Sequence, residues 1–169
     1  MKTSLLRTGP RPGHAPLRPD HVDHQPRQAW HLTFTTHGGE PLFKDFQAAR
    51  ILSSCLHESV AVSEGRVLAW VVMPDHVHCL LQLDGGQPLH AAVGGLKSGS
   101  ARKINRALER RGPLWARAYH DRAIRTDEDL RAVARDIVAN PLRAGLVTRI
   151  ADYPFWNAIW MDDPRPSAP

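Results

Sequence analysis

Residues 73–81 read Met-Pro-Asp-His-Val-His-Cys-Leu-Leu, and the alternation inside this run decides the fold. His76 and His78 lie two apart, with Val77 between them and Cys79, Leu80, Leu81 and Leu83 following. In a strand, residues i and i+2 face the same side. Both imidazoles therefore project from one sheet face, while Val77 projects into the other. Two convergent imidazoles make half of a divalent-metal site. An acidic or amide side chain from elsewhere in the chain must complete it.

Working outward, Pro74 separates this strand from the apolar run of residues 66–72, and the pair predicts a hairpin. Residues 46–62 carry Ala49, Leu52, Leu56 and Val60 at helical spacing. Residues 30–36 are aromatic and Thr-rich, and Gly38-Gly39 stops them. Strand, helix, hairpin is the opening of a ferredoxin-like α/β sandwich. The expected architecture is α/β, with a central antiparallel sheet of four or five strands and helices near 46–62, 96–110 and 128–140.

Downstream, residues 88–111 have helical character interrupted by Gly94-Gly95 and Gly99. They carry Lys97, Arg102, Lys103, Arg106, Arg110 and Arg111, a face for either solvent or DNA. Residues 114–124 read as a short strand with Trp115 and Tyr119. Thr126 stands as the N-cap of the next helix, with Asp129 placed for reciprocal capping. Leu130, Val133, Ile137 and Val138 give that helix its buried stripe, and Pro141 ends or kinks it. The aromatic residues 153–161 are expected to pack on the body, with 162–169 a frayed tail.

The chain has 169 residues, a length that suits one domain. Its 22 Lys and Arg against 17 Asp and Glu give a net charge of +5, which favours a polyanionic partner, most simply nucleic acid. Residues 1–28 hold Pro10, Pro12, Pro16, Pro19 and Pro26 among Arg and His, and are expected to form a disordered basic arm. Arg7, Arg11, Arg18 and Arg27 on it are available to phosphates. Cys55 and Cys79 offer neither a disulfide framework nor Cys-x-x-Cys spacing, and read as buried hydrophobes in a reducing cytoplasm. No apolar stretch reaches membrane-spanning length and no apolar signal segment opens the chain, so the expected product is soluble and cytoplasmic.

Four blocks in order carry a family resemblance. The His-hydrophobic-His run at 73–81 resembles the metal strand of single-tyrosine HUH transposases. Leu96-Lys97-Ser98, followed by Lys103-Ile104-Asn105, is similar to their central basic helix, and residues 115–125 to their next strand. Residues 136–147, Asp-Ile-Val-Ala-Asn-Pro-Leu-Arg-Ala-Gly-Leu-Val, resemble the signature of the REP-associated tyrosine transposases. The resemblance implies one ferredoxin-like HUH transposase domain over residues 29–161. It implies His76 and His78 as metal ligands, Asn140 as the third ligand, and Mg²⁺ or Mn²⁺ as the cofactor. The implied partner is a single-stranded DNA hairpin, cut beside the stem by a tyrosine that leaves a 5′-phosphotyrosine and a free 3′-OH. Lys97, Arg102, Lys103, Arg106, Arg117, Arg122 and Arg125 become candidate DNA contacts. Family members occur as monomers and homodimers.

The pattern breaks at one place. The family puts its nucleophile four residues before the Asn, in Tyr-Ile-x-x-Asn-Pro, and this chain has Asp136 there. Residues 136 and 140 share a helix face, so the placement survives and the hydroxyl does not. Three explanations are open: a deliberately inactivated chain, a natural member that kept hairpin binding and lost strand transfer, or Tyr119 as the source of the hydroxyl. Asp136 is also a candidate metal ligand or water-orienting group. A non-catalytic hairpin-binding protein is the alternative function. His31 and His120 are candidates for contacts around the site, and Asp75 for a turn cap.

Overall fold

The computed structural model describes residues 27–58, 65–84, 88–125 and 128–162. Among the described residues, five strands form one sheet in the order β4-β1-β3-β2-β5. They are β1 (Gln28–Thr35), β2 (Gly65–Val72), β3 (His76–Leu83), β4 (His120–Ala123) and β5 (Trp156–Ala158), and every pairing is antiparallel. With helices α1 (Phe46–Glu58) and α2 (Leu89–Ala107), the first four strands make the expected ferredoxin-like α/β sandwich.

Both faces of the sheet are covered, which explains why β2 reads as a continuous apolar run. Leu32, Phe34, Val67, Trp70, Val77, Cys79 and Leu81 pack with Leu52 and Leu56 of α1 and Val93 and Ile104 of α2. On the other face, Ala29, Leu68, Ala69, Val71 and Leu80 pack with Val133, Ala134 and Ile137 of a third helix, α3 (Leu130–Val138). A register shift between Val67 and Ala69 places both Leu68 and Ala69 in this second core.

Several boundaries differ from the sequence reading. Arg27 and Gln28 belong to the body rather than to an arm. Arg27 pairs with Asp84 at 2.8 Å, and the Gln28 amide donates to the carbonyl of Ile124 at 2.9 Å. Residues 1–26 and 163–169 lie outside the described residues, as do residues 59–62, the end expected for the first helix. Helix α2 starts at Leu89 and runs through Gly94, Gly95 and Gly99. Each of these has only open space where a Cβ would stand. Burial of Val93, Ser100 and Ile104 outweighs the roughly 1 kcal/mol that a helical glycine costs.

The strand expected at 114–124 shrinks to β4. Residues 114–119 instead form a strap over α2, joined to the end of β1 by a single bridge between Trp115 and Thr36 and held to the helix by side chains. Trp115 Nε1 donates to the buried Ser100 hydroxyl at 3.0 Å. The Lys97 ammonium donates to the carbonyls of Ala116 and Arg117 at 2.7 and 3.0 Å. The N-cap of α3 is Asp129, whose carboxylate accepts from the Arg131 amide at 2.8 Å; Thr126, the expected cap, lies outside the described residues. Ahead of Pro141 the helix breaks at Ala139, and the short α4 (Asn140–Arg143) follows. Gly145, at φ +66°, ends it in a conformation that favours glycine. The C-terminal aromatic segment does more than pack: β5 pairs with β2, and the Tyr153 hydroxyl donates to the Val72 carbonyl at 2.6 Å.

Candidate metal centre and nucleic-acid interface

Strand alternation and register place the candidate groups in rows across the α3 side of the sheet. Thr33 is paired with His78 on one side and with His120 on the other, while His31 is paired with Leu80 and Arg122. His76 and His78 converge on this surface, Nε2 to Nε2 at 3.2 Å, with rings perpendicular. Each ring's second nitrogen has its own partner: His76 Nδ1 meets Asp75 Oδ1 at 2.6 Å, and His78 Nδ1 meets Thr33 Oγ1 at 2.9 Å. If both Nδ1 atoms carry the proton, as the Asp75 contact demands of His76, two Nε2 lone pairs point at each other. In that tautomer the arrangement is repulsive unless a cation lies between them, and the residues present fit a divalent metal; with the His78 proton on Nε2 the same contact is a hydrogen bond to His76.

Burial pushes His78 down to about 4, and the charges of His76, His31 and Arg143 add to it. The ring is thus held neutral, the form in which it ligates. His31 is lowered too, by burial first and then by Arg122, while Asp136 acts in the opposite direction. His31 Nε2 lies 3.4 Å from His78 Nδ1, a longer contact than the one from Thr33.

Helices α3 and α4 bring the remaining candidates. The Asn140 amide nitrogen donates to the carbonyls of Ile137 and Asp136 at 2.8 and 3.3 Å, holding the break between the two helices. The Asp136 side chain is 84% exposed. Its field falls on His31, and among the described residues no third His, Cys, Asp or Glu completes a metal cluster with the pair. Asp136 therefore does not stand as a ligand in this arrangement.

Tyr119, expected near the site, is on the wrong side of the sheet. Its ring packs edge-on against Phe34 at 6.1 Å, and the Lys97 ammonium lies 5.8 Å from its centroid. Phe34 belongs to the α1–α2 core, so the sheet separates Tyr119 from the histidine pair. Alternation along β4 puts His120 and Arg122 on the histidine face and Tyr119 on the other.

The basic candidates divide in the same way. Lys97 is committed to the strap over α2, and burial lowers its pKa. Lys103 pairs with Glu58 at 2.7 Å, and Arg122 with Glu128 at 2.8 Å. Arg102, Arg106, Arg117 and Arg125 are exposed. Arg102 and Arg106 are on α2, across the sheet from the histidines.

Sequence reasoning missed Thr33 and Arg143, and it took Asp75 only as a turn residue. Thr33 was accessible from the same period-two argument that found the histidines, applied to β1. Arg143 was not, because its placement depends on the break at Ala139.

The IS200-like transposase family matches residues 25–137 of this chain. A REP-associated tyrosine transposase of Escherichia coli strain K12 is 30% identical over 103 residues, covering 59% of each chain. A Haemophilus influenzae relative is 30% identical over 98 residues, covering 52% of this chain and 56% of its own. The matches thus span a little over half the length of these relatives. A solved structure of a REP-associated tyrosine transposase bound to a REP hairpin shares the fold, with a TM-score of 0.59 and 23% identity over 76% of this chain and 75% of that one. With the family matched over most of the described body, the chain belongs to the IS200-like transposases.

Proposed function

We propose that this chain binds a single-stranded DNA hairpin of the REP type and holds a divalent cation, Mg²⁺ or Mn²⁺, on His76 and His78 with Asn140 as third donor. The observation that carries the reading is the facing Nε2 pair, with both Nδ1 atoms held by Asp75 and Thr33. Family membership, the hairpin bound by the structural neighbour and the net charge of +5 support it. Two imidazoles favour Mn²⁺ in affinity over the harder Mg²⁺. A cation bound there supplies Lewis acidity to a phosphate oxygen.

The protein's own groups supply orientation and charge. Asp75 and Thr33 orient the rings. Arg102, Arg106, Arg117 and Arg125 supply charge for the DNA backbone, while Arg122 is taken up by Glu128. Asp136 stands where the family resemblance puts the tyrosine hydroxyl. A carboxylate attacking phosphorus would give a labile acyl phosphate in place of a stable tyrosyl ester. Its negative charge also repels the phosphate it faces. Phosphotyrosine formation is therefore impaired in this chain, while fold and hairpin binding are retained. A second reading, hairpin binding without any strand cleavage, is favoured by Asp136 itself.

A labelled hairpin with a short 5′ flank, incubated with Mg²⁺ or Mn²⁺ and run on a denaturing gel, tests both readings. The parent chain should bind it without forming an adduct, and Asp136→Tyr should form a covalent 5′ adduct. An adduct from the parent, or equal affinity for an unstructured strand of the same length, would overturn the proposal. A hairpin-binding Asp136→Tyr chain that forms no adduct supports the non-catalytic reading.

A further inference from the structure

We infer that Arg143 grips a phosphate of the single strand that flanks the hairpin and lies against the histidine pair; the inference rests on the hairpin reading above. Arg143 ends α4, one turn after Asn140. Both terminal nitrogens of its guanidinium donate to one acceptor, the backbone carbonyl of Asp136. That carbonyl is neutral, so the anchoring bonds fix the side chain without neutralising its charge. Among the described residues its ion-pair partner is Oδ1 of Asp136, 3.8 Å away and beyond hydrogen-bond reach; both side chains are open to solvent, which screens the pair and leaves the charge only partly compensated.

Other arginines of the body are spent differently. Arg122 meets both carboxylate oxygens of Glu128 at 2.8 and 3.0 Å, Arg149 meets both of Asp152 at 3.1 and 2.8 Å, and Arg110 meets Glu40 at 2.6 Å. Each of these three faces an anion of its own.

Arg143 is also in the right place. Ile137, at the C-terminal end of α3, packs in the same core as Leu80, which follows His78 by two residues on the same strand face. The carbonyl that anchors Arg143 is one residue before Ile137. The guanidinium charge is felt at His78. Its side chain is 50% exposed, and a guanidinium has five N–H donors in a planar fork, more than one carbonyl can accept. An ordered, half-exposed fork beside a candidate metal site suits bidentate recognition of phosphate, and the anchoring reduces the freedom lost on binding. Asp136 weakens the grip by competing for the same charge.

A role confined to capping α3 makes a different prediction from a phosphate grip, and anisotropy titrations with two probes separate them. One probe is the hairpin with a short single-stranded 5′ flank, and the other is the same hairpin without it, both in Mg²⁺. Arg143→Gln should weaken the flanked probe about 10-fold or more, the effect expected of a charge-assisted pair, and leave the unflanked probe within about 2-fold. The slope of log K against log salt for the flanked probe should become shallower by about 0.7, the value for one single-strand phosphate contact. Arg143→Lys should recover only part of the loss, because the fork is gone. Equal losses on both probes, or a lowered Tm with an unchanged salt slope, would reduce Arg143 to a helix cap and overturn the inference. A parent chain that binds the two probes equally overturns it as well, since no grip on the flank then exists, while hairpin binding stands. A parent that binds neither probe overturns the functional reading, and this inference falls with it.

Discussion

Asp75 Oδ1 lies 2.6 Å from Nδ1 of His76, while Nε2 of the same ring faces His78. The carboxylate therefore fixes the ring and its proton on one side and leaves the lone pair of the other nitrogen aimed at the site. Thr33 performs the neutral version of this task for His78. Asp75→Ala and Thr33→Val should each weaken Mn²⁺ binding by about 10- to 100-fold, with the larger effect at Asp75. Calorimetric titration of the DNA-free protein measures it. Unchanged affinity in both variants would remove the pair's supporting contacts from the account.

The buried link between Trp115 and Ser100 should be worth more to stability than its single hydrogen bond suggests. Ser100→Ala leaves the indole N–H without its partner, at a cost of about 1–3 kcal/mol. Trp115→Phe removes the donor, and Ser100 keeps its own bond to the Leu96 carbonyl at 2.7 Å. A urea double-mutant cycle should show a coupling of about 1 kcal/mol between the two positions. Additive losses would mean that the strap is held by packing, by Lys97 and by its backbone bonds to Thr35 and His37.

Cys79 gives an alkaline pH dependence. Burial pushes its thiol from 9.0 up to about 12. A raised folded-state value means that its contribution is fully present below pH 9, and is lost as pH rises toward 12, where the unfolded chain ionises first. Tyr153, raised by burial, acts in the same direction above its usual value of 10. Urea midpoints at pH 8, 9.5 and 10.5 should fall more steeply for the parent than for Cys79→Ala. Parallel curves would show that the thiol does not contribute.

Tyr119→Phe should leave the covalent adduct of the Asp136→Tyr chain intact and change stability by less than about 1 kcal/mol, since the ring contacts with Phe34 and Lys97 survive. Loss of the adduct on a denaturing gel would place the Tyr119 hydroxyl in the reaction despite the intervening sheet.

The parts of the fold that are legible in the sequence are those with a strong local period. The histidine hairpin and the buried stripe of α3 follow from alternation and from i, i+3, i+4 spacing. The glycines of α2 read as interruptions, because local propensity says nothing of the core that holds Val93 and Ile104. Residues 114–119 look like a strand, since Trp and Tyr favour strands. They form a strap because Lys97 and Ser100, distant in sequence, take up their polar groups. The same logic applies to the site: His76 and His78 announce themselves by spacing, whereas Arg143 acquires its position only once α3 has broken at Ala139 and turned its side chain back to Asp136.

The exposure of Asp136 has a consequence for how this chain could change over generations. The side chain touches neither core, so stability places almost no constraint on which residue stands there. Hydroxyl, carboxylate or amide at that position leaves both cores as they are. Chemistry at residue 136 can thus be lost or regained in a single step, while the scaffold around it is inherited unaltered.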